Sequence, residues 1–269
     1  MLIRSWDRGD EQEWRAWLAE GRDFGLLAAN GAPGEGPVLV PTHFLLDAER
    51  GEVLLHLAAP NPLLAAVRAD PHVTLAVTDG YAFAPGHWRG APGTPTSYYA
   101  SVHFHCTAEV VESAAGKAEI LNRQLAHFQP ETPEVRVVPG EEGLARQLPG
   151  LRGLRLTVNE VRAKFKYDDK KPAEAQYAIA DRLAERAEGR GRARDQYGAA
   201  RTQLLRRHRR RTAGAGVLGA DQAHTDQAHA GTTRADTAVA GSTGADPTGP
   251  HADLSRTAAP RTDRPRAAD

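Results

Sequence analysis

His56, Asn61, Tyr81, His87 and Trp88 are the residues whose types and positions first point to chemistry. They fall at element ends in the stretch Gly51 to Trp88, where a rigid frame usually holds ligand groups. Each also has a bland reading: His56 as a satisfied core histidine, Asn61 as a helix cap, Trp88 as a plug for a barrel. A second group, His103, His105 and Cys106, tempts a metal reading. On a strand, His103 and His105 share a face while Cys106 points to the other, and no second ligand pair stands at zinc spacing, so no metal site is expected. A Cys106 thiolate on the apolar face is disfavoured, which argues against a nucleophile. The chain carries no G-x-G-x-x-G, Walker A, H-E-x-x-H or G-x-S-x-G pattern. No basic recognition helix is evident before the C-terminal region. Nor does any side chain stand out as acid or base for a defined substrate, so whether the chain is an enzyme stays open.

The elements that must position these groups follow from pattern. Val53 to Leu57 is a short apolar run bounded by Gly51, suited to a buried strand. Asn61-Pro62 starts a helix, with Leu63, Leu64 and Val67 on one face, that stops before Asp70-Pro71. His72 to Val77 is a second core strand. Upstream, Asp10 caps a short helix to Glu20 whose Trp14, Trp17 and Leu18 form a core-facing stripe. Strands at Phe24–Ala29 and Val38–Asp47 complete a three-strand meander, and Pro41 implies an edge or a bulge. Ala82 to Pro95 reads as loop. Ser97 to Val111 is a long strand with Tyr99, Ser101, His103, His105 and Thr107 on one face and Ala100, Val102, Phe104, Cys106 and Ala108 on the other. A helix at Glu112–Phe128, a short helix at Glu141–Leu148, a strand within Leu151–Lys166 and a polar helix at Ala173–Glu188 follow. The charged AKFKYDDKKP reads as a strand end running into solvent. The expected architecture is an antiparallel β-barrel with helices, of a kind that hosts ligands at its mouth or at subunit contacts.

Apolar content falls sharply after Glu188, so the 269 residues divide into a folded domain, 1–188, and a disordered Arg/Ala/Thr-rich tail, 189–269. The formal net charge is zero, giving no global pull toward nucleic acid. Arginine dominates Arg186 to Arg211, a run that suits either a solvated tail or electrostatic contact with nucleic acid or acidic lipid. The single cysteine excludes an internal disulfide framework and suits a reducing compartment. The first residues lack the apolar run of a signal peptide and no stretch approaches about 18 apolar residues, so a cytoplasmic protein with no membrane partner is expected.

Five segments together carry a resemblance: VPTHFLLD at Val40–Asp47, LLHLAAPNPL at Leu54–Leu63, GYAFAPGHW at Gly80–Trp88, TPTSYYASVHFHC at Thr94–Cys106 and VRAKFKYDDKKP at Val161–Pro172. In order and separation the chain resembles the FMN-binding negative transcriptional regulators, the PaiB-like proteins of the FMN-binding split-barrel superfamily. The resemblance implies an α+β fold, mainly β with helices, built on a six-stranded antiparallel split β-barrel like that of flavin reductases and pyridoxamine-phosphate oxidases. It further implies a homodimer with FMN in a groove between subunits, and a transcriptional regulator or ligand sensor. Carried onto this chain, Thr42, His43 and Phe44 edge the isoalloxazine; His56, Leu57, Ala58 and Asn61 lie along the ribityl-phosphate path; Ser101 and His103 face the cofactor; Lys164 and Lys166 offer charge to the phosphate. The chain departs from the family at Ala59, where a basic residue is usual, at Ser97-Tyr98, and at Asp168 and Asp169, which add negative charge beside the expected phosphate. Those departures point toward weakened FMN binding or another ligand; related split barrels use deazaflavin F420 or haem, and some bind nothing. An FMN- or F420-dependent oxidoreductase and a cofactor-free dimeric scaffold are the other readings.

Overall fold

A computed structural model describes residues 1–90, 93–188 and 193–229. Helix α1 (Glu11–Leu18) starts where expected: the Asp10 carboxylate accepts the Glu13 N–H at 2.8 Å, satisfying one of the free donors of the first turn. The chain continues through β1 (Phe24–Ala29), β2 (Val38–His43), β3 (Leu45–Asp47) and β4 (Glu52–Ala58). Helix α2 (Pro62–Ala69), capped by Asn61, leads to β5 (His72–Ala84) and β6 (Thr96–Val111). Helix α3 (Ala114–Phe128), β7 (Leu151–Lys166), α4 (Ala173–Glu188) and α5 (Ala193–His229) complete the order. Among the described residues no helix is long and apolar enough to cross a membrane.

All strand pairs are antiparallel and form one sheet in the order β2-β1-β5-β6-β7-β4-β3. This corrects two expectations. The sheet has seven strands rather than six, because the run Val38–Asp47 breaks at Phe44. The expected meander also fails, since β2 pairs with β1 while β3, not β2, pairs with β4. The cause is the side chain of Phe44, which turns into the core and is only 2% exposed. Its amide N–H still donates to the Asp23 carbonyl at 2.8 Å, and one residue later the chain has joined the opposite edge. The hydrogen-bonded ladder is therefore not closed, and chain continuity at Phe44 ties its two edges together. Pro41 lies on the edge strand β2, where a missing N–H costs nothing.

Period-two alternation puts one face of every long strand inside. Tyr98, Ala100, Val102, Phe104 and Cys106 of β6 are buried with Leu75 and Val77 of β5 and Phe165 of β7. Trp14 and Trp17 of α1 cover one end of this core, meeting Phe104 and Phe165 edge-on at 5.6 and 5.8 Å. Strand β5 runs on to Ala84, so the stretch expected as loop begins later. A bulge between Asp79 and Ala82 absorbs the break, with Gly80 at φ +69° where an L side chain would be strained. Helix α3 lies over the outer face of β4 and β7. Gly153 makes its close approach possible, because a Cβ there would meet Ile120 at 2.7 Å. The short helix expected at Glu141–Leu148 is a 3-10 turn at Gly143–Gly150.

The expected start of the tail at residue 189 is also corrected. Helix α5 packs on the domain, with Ala200 and Leu204 inside the main core. Its arginines engage the acids of the N-terminal segment. The Arg207 guanidinium, 6% exposed, pairs with Glu13 at 2.7 Å and with Asp169, and donates to the Trp6 carbonyl at 3.0 Å. Arg206 pairs with Glu20, and Arg210 with Asp10 at 2.8 Å. Composition alone could not reveal this, because the partners of the arginines lie nearly the whole domain away in sequence. Residues 230–269 lie outside the described residues. Removing one partner of a buried pair strands the other charge, so Arg207→Ala is expected to destabilise the domain by about 3–5 kcal/mol. Arg209→Ala, on the exposed side of the same helix, should change stability by no more than about 0.5 kcal/mol. Urea unfolding of both variants checks this.

Candidate functional site

Strand register sets which side chains share the outer face. His43 is opposite Phe24, Leu26 opposite Ala76, Ala76 opposite His103 and His103 opposite Arg162. One step along, Thr78 faces Ser101, which faces Lys164. The residues expected to bind cofactor divide into two clusters on this outer face, one at each flank.

The first cluster sits at the seam. Extending the pairing of Leu45 with Leu54 by two residues would set His43 against His56, and the two rings meet edge-on at 5.3 Å. Phe128, at the end of α3, stands 5.0 Å from His43 on another side. His56 Nδ1 lies 2.7 Å from Gln124 Oε1, and Gln124 Nε2 donates to the Leu54 carbonyl at 3.4 Å. The amide is thereby oriented with its oxygen toward the imidazole, so Nδ1 is the donor in this contact and Nε2 is left outside it. Burial, reinforced by the neighbouring His56, holds the His43 pKa below the usual imidazole value. A cavity of about 560 Å³ opens here, lined by Phe24, His43, His56 and Phe128, with Asp23 and Glu131 at its rim and no cation. Leu121 and Leu125 complete its walls, so it is a slot of aromatic and aliphatic side chains.

The second cluster is cationic. The Tyr99 ring has Lys164 at 5.6 Å and Lys166 at 6.0 Å. Lys166 donates to Thr96 Oγ1 at 2.7 Å, and burial, then the like charge of Lys164, lowers its pKa. A cavity of about 460 Å³ beside it is lined by Arg4, Arg89, Lys166, Lys170 and Lys171, against the two carboxylates Asp7 and Asp168. Ser101, buried between Thr78 and Lys164, shares a 2.8 Å hydrogen bond with the Thr78 hydroxyl. His103 is half-buried on the same face, its pKa lowered mainly by burial.

The remaining expected site residues do not reach either cluster. Phe44 and Leu57 point into the core, for the seam and the strand alternation turn them inward. Thr42 is buried and its hydroxyl donates to the His43 carbonyl at 3.0 Å. Asn61 Oδ1 accepts the Leu63 N–H at 3.0 Å, so it is engaged as a helix cap. Ala58 is exposed at the end of β4. Tyr81 and His87 are exposed, and Trp88 packs under Arg186 at 4.6 Å, apart from His56. Cys106 is buried and its thiol is pushed up to about 12 by burial. No group of three His, Cys, Asp or Glu placed to hold a metal ion occurs among the described residues.

Sequence reasoning missed Gln124, Phe128, Arg4, Trp6 and Lys170. Gln124 did carry a signal, as a polar residue four positions after Ile120 on the apolar stripe of α3. Sequence reasoning also missed the partners of Asp168 and Asp169. Asp168 accepts both arms of Arg89, at 2.5 and 2.6 Å, and the Tyr98 hydroxyl at 2.8 Å. Asp169 is paired with Arg207. Both are engaged with their own cations, leaving the lysines free to meet an anion.

These donors fit a phosphorylated flavin: an aromatic slot suits a planar ring, and paired lysines suit a dianionic phosphate. Neither cluster offers both within one chain. In the first cluster, the His43 resonance in an NMR pH titration is expected to have its midpoint below 6.5. His56→Ala should move that midpoint upward, because it removes the neighbouring ring that opposes protonation of His43 and opens the slot to water.

No curated protein matches the chain. Similar solved structures include the FAD and haem binding protein from Mycobacterium smegmatis, at 20% identity over 65% of this chain and 80% of that one, with a TM-score of 0.49. A flavocytochrome from Azotobacter vinelandii is 19% identical over 65% of this chain and 78% of its own, with a TM-score of 0.49. An F420 reductase is 14% identical over 54% and 93%, with a TM-score of 0.33. The family model described as "Putative FMN-binding domain" matches residues 1–160, from the N-terminus through β6 and into β7. That match spans more than half of the chain, and the chain belongs to this FMN-binding domain family.

Proposed function

We propose that this chain is a homodimeric FMN-binding protein of the PaiB-like split-barrel type, acting as a ligand sensor or regulator, with each flavin held between two subunits. The observation that carries the proposal is the division of the outer face into complementary halves. The slot at His43 and His56 has aromatic walls and no cation; the face at Tyr99, Ser101 and His103 has Lys164 and Lys166. A two-fold axis that sets the slot of one subunit against the lysines of the other completes two equal sites. Exposed apolar residues of the same face, Phe24 at the slot (63%) and Leu39 on the edge strand β2 (51%), support burial of this face against a second copy.

In such a site Lys164 and Lys166 bind the phosphate, Ser101 and His103 line the ring, and His56 Nε2 offers an acceptor to a ring or ribityl donor. Bound FMN would supply one- and two-electron chemistry. The regulator role rests on the family resemblance. The arginines of α5 lend it no support as a DNA contact, since Arg206, Arg207 and Arg210 are engaged with Glu20, Glu13 and Asp10. An FMN- or F420-dependent oxidoreductase is the second reading. His103 favours it, as a half-buried imidazole on the flavin face whose neutral, proton-accepting form is favoured by burial.

Light scattering should give a dimer, and FMN titration should give one saturable site per chain. His56→Ala and Lys166→Ala should each weaken FMN by about tenfold, the usual effect of losing one charged or well-oriented hydrogen bond. Co-expressed, the two variants should regain one tight site in every mixed dimer, since one of its two sites draws both halves from intact residues. Mixed dimers that remain weak at both sites would sink the shared site.

A further inference from the structure

The cationic cluster is larger than a single phosphate requires. Lys164 and Lys166 suffice for a dianion, yet Arg4, Lys170 and Lys171 line the adjoining groove as well. Among the described residues none of these five cations forms an ion pair with a carboxylate. Of the two acids in the wall, Asp168 is held by Arg89 and Tyr98, and Asp7 is buried. Two aromatic rings order the cations: Trp6 has Arg4 at 5.3 Å and Lys170 at 5.4 Å, and Tyr99 has the other two lysines. Lys171 is fixed by donating to the Arg89 carbonyl at 3.0 Å. Burial, then the like charge of Lys164, disfavours the protonated form of Lys166, an effect that an anion in the groove would offset. Ordered cations that outnumber the two carboxylates of the wall, Asp7 and Asp168, along a groove of about 460 Å³ continuous with the flavin face through Lys166, suit the binding of an extended anion.

We propose that the groove formed by Arg4, Lys170 and Lys171 beside Trp6 is a subsite for an anionic extension beyond the phosphate of a flavin-type ligand, of the kind an oligoglutamyl tail provides. This rests on the flavin reading above and adds to it: the ring lies in the aromatic slot of one subunit, the phosphate at Lys164 and Lys166 of the other, and the tail carboxylates among the three further cations. A ligand that ends at the phosphate leaves these three without partners, so the groove selects for tail length and charge.

Calorimetric titration of the full chain with FMN, FAD and F420 tests this. F420 should bind about tenfold or more tightly than FMN, with an advantage that shrinks as salt is raised. Lys170→Ala alters an exposed side chain, and should weaken F420 by about threefold to tenfold while leaving FMN unchanged. FAD carries a second phosphate but no carboxylates. If FAD alone gains over FMN, and loses that gain in Lys170→Ala, the anionic extension is a second phosphate, and the carboxylate tail is overturned. Equal affinity for FMN and F420, or an equal loss of both in Lys170→Ala, overturns the subsite while leaving the flavin site standing. Failure of all three ligands to bind overturns both.

Discussion

The structure depends on one crossing. At Phe44 the chain leaves β2, at one edge of the sheet, and enters β3, at the other. One residue cannot span two edges unless the sheet is rolled until they meet, so this connection holds the sheet in a curl that its hydrogen bonds leave open. The buried Phe44 ring, 6.5 Å from Phe104, anchors the crossing in the core. Because side chains alternate, an inward Phe44 leaves His43 outward, against His56. The aromatic slot is thus a by-product of how the seam is tied.

A second constraint links the chain's ends. The acids of the N-terminal segment, Asp10, Glu13 and Glu20, would leave a negative edge on the domain, and Arg206, Arg207 and Arg210 of α5 neutralise it. Arg207 also reaches Asp169, so the segment after β7 is fastened from the same point. With Asp168 held by Arg89, the two acids that break the family pattern become structural supports for the cationic strip. The extension beyond the family-matched region therefore belongs to the fold and bears on the charge of the site.

The chemistry open to the site follows from these placements. The His43 pKa is lowered by burial and by the neighbouring His56, and Gln124 orients the His56 ring. On the other flank burial, then the like charge of Lys164, lowers the Lys166 pKa. A planar ring carrying a phosphate matches the two halves taken together, and the intersubunit site proposed above follows from that match.

Much of the fold was legible in local pattern. The Asp10 and Asn61 caps, the alternation of β6 and the limits of β1 and α4 depend on neighbours a few residues apart, and that is the range over which propensity and periodicity act. The resemblance likewise led to the family, and to His43, His56, Lys164 and Lys166 as candidates. By itself the sequence determined the elements, the inner and outer faces of the long strands and the family. Tertiary structure alone decided that Val38–Asp47 divides at Phe44, that Phe44 and Leu57 serve the core, and that Asn61 is engaged as a cap. It also decided that the arginines of α5 are partners rather than a tail. In each case the deciding contact joins residues far apart in sequence, such as Arg207 with Glu13 or His56 with Gln124, and no local period encodes such a contact.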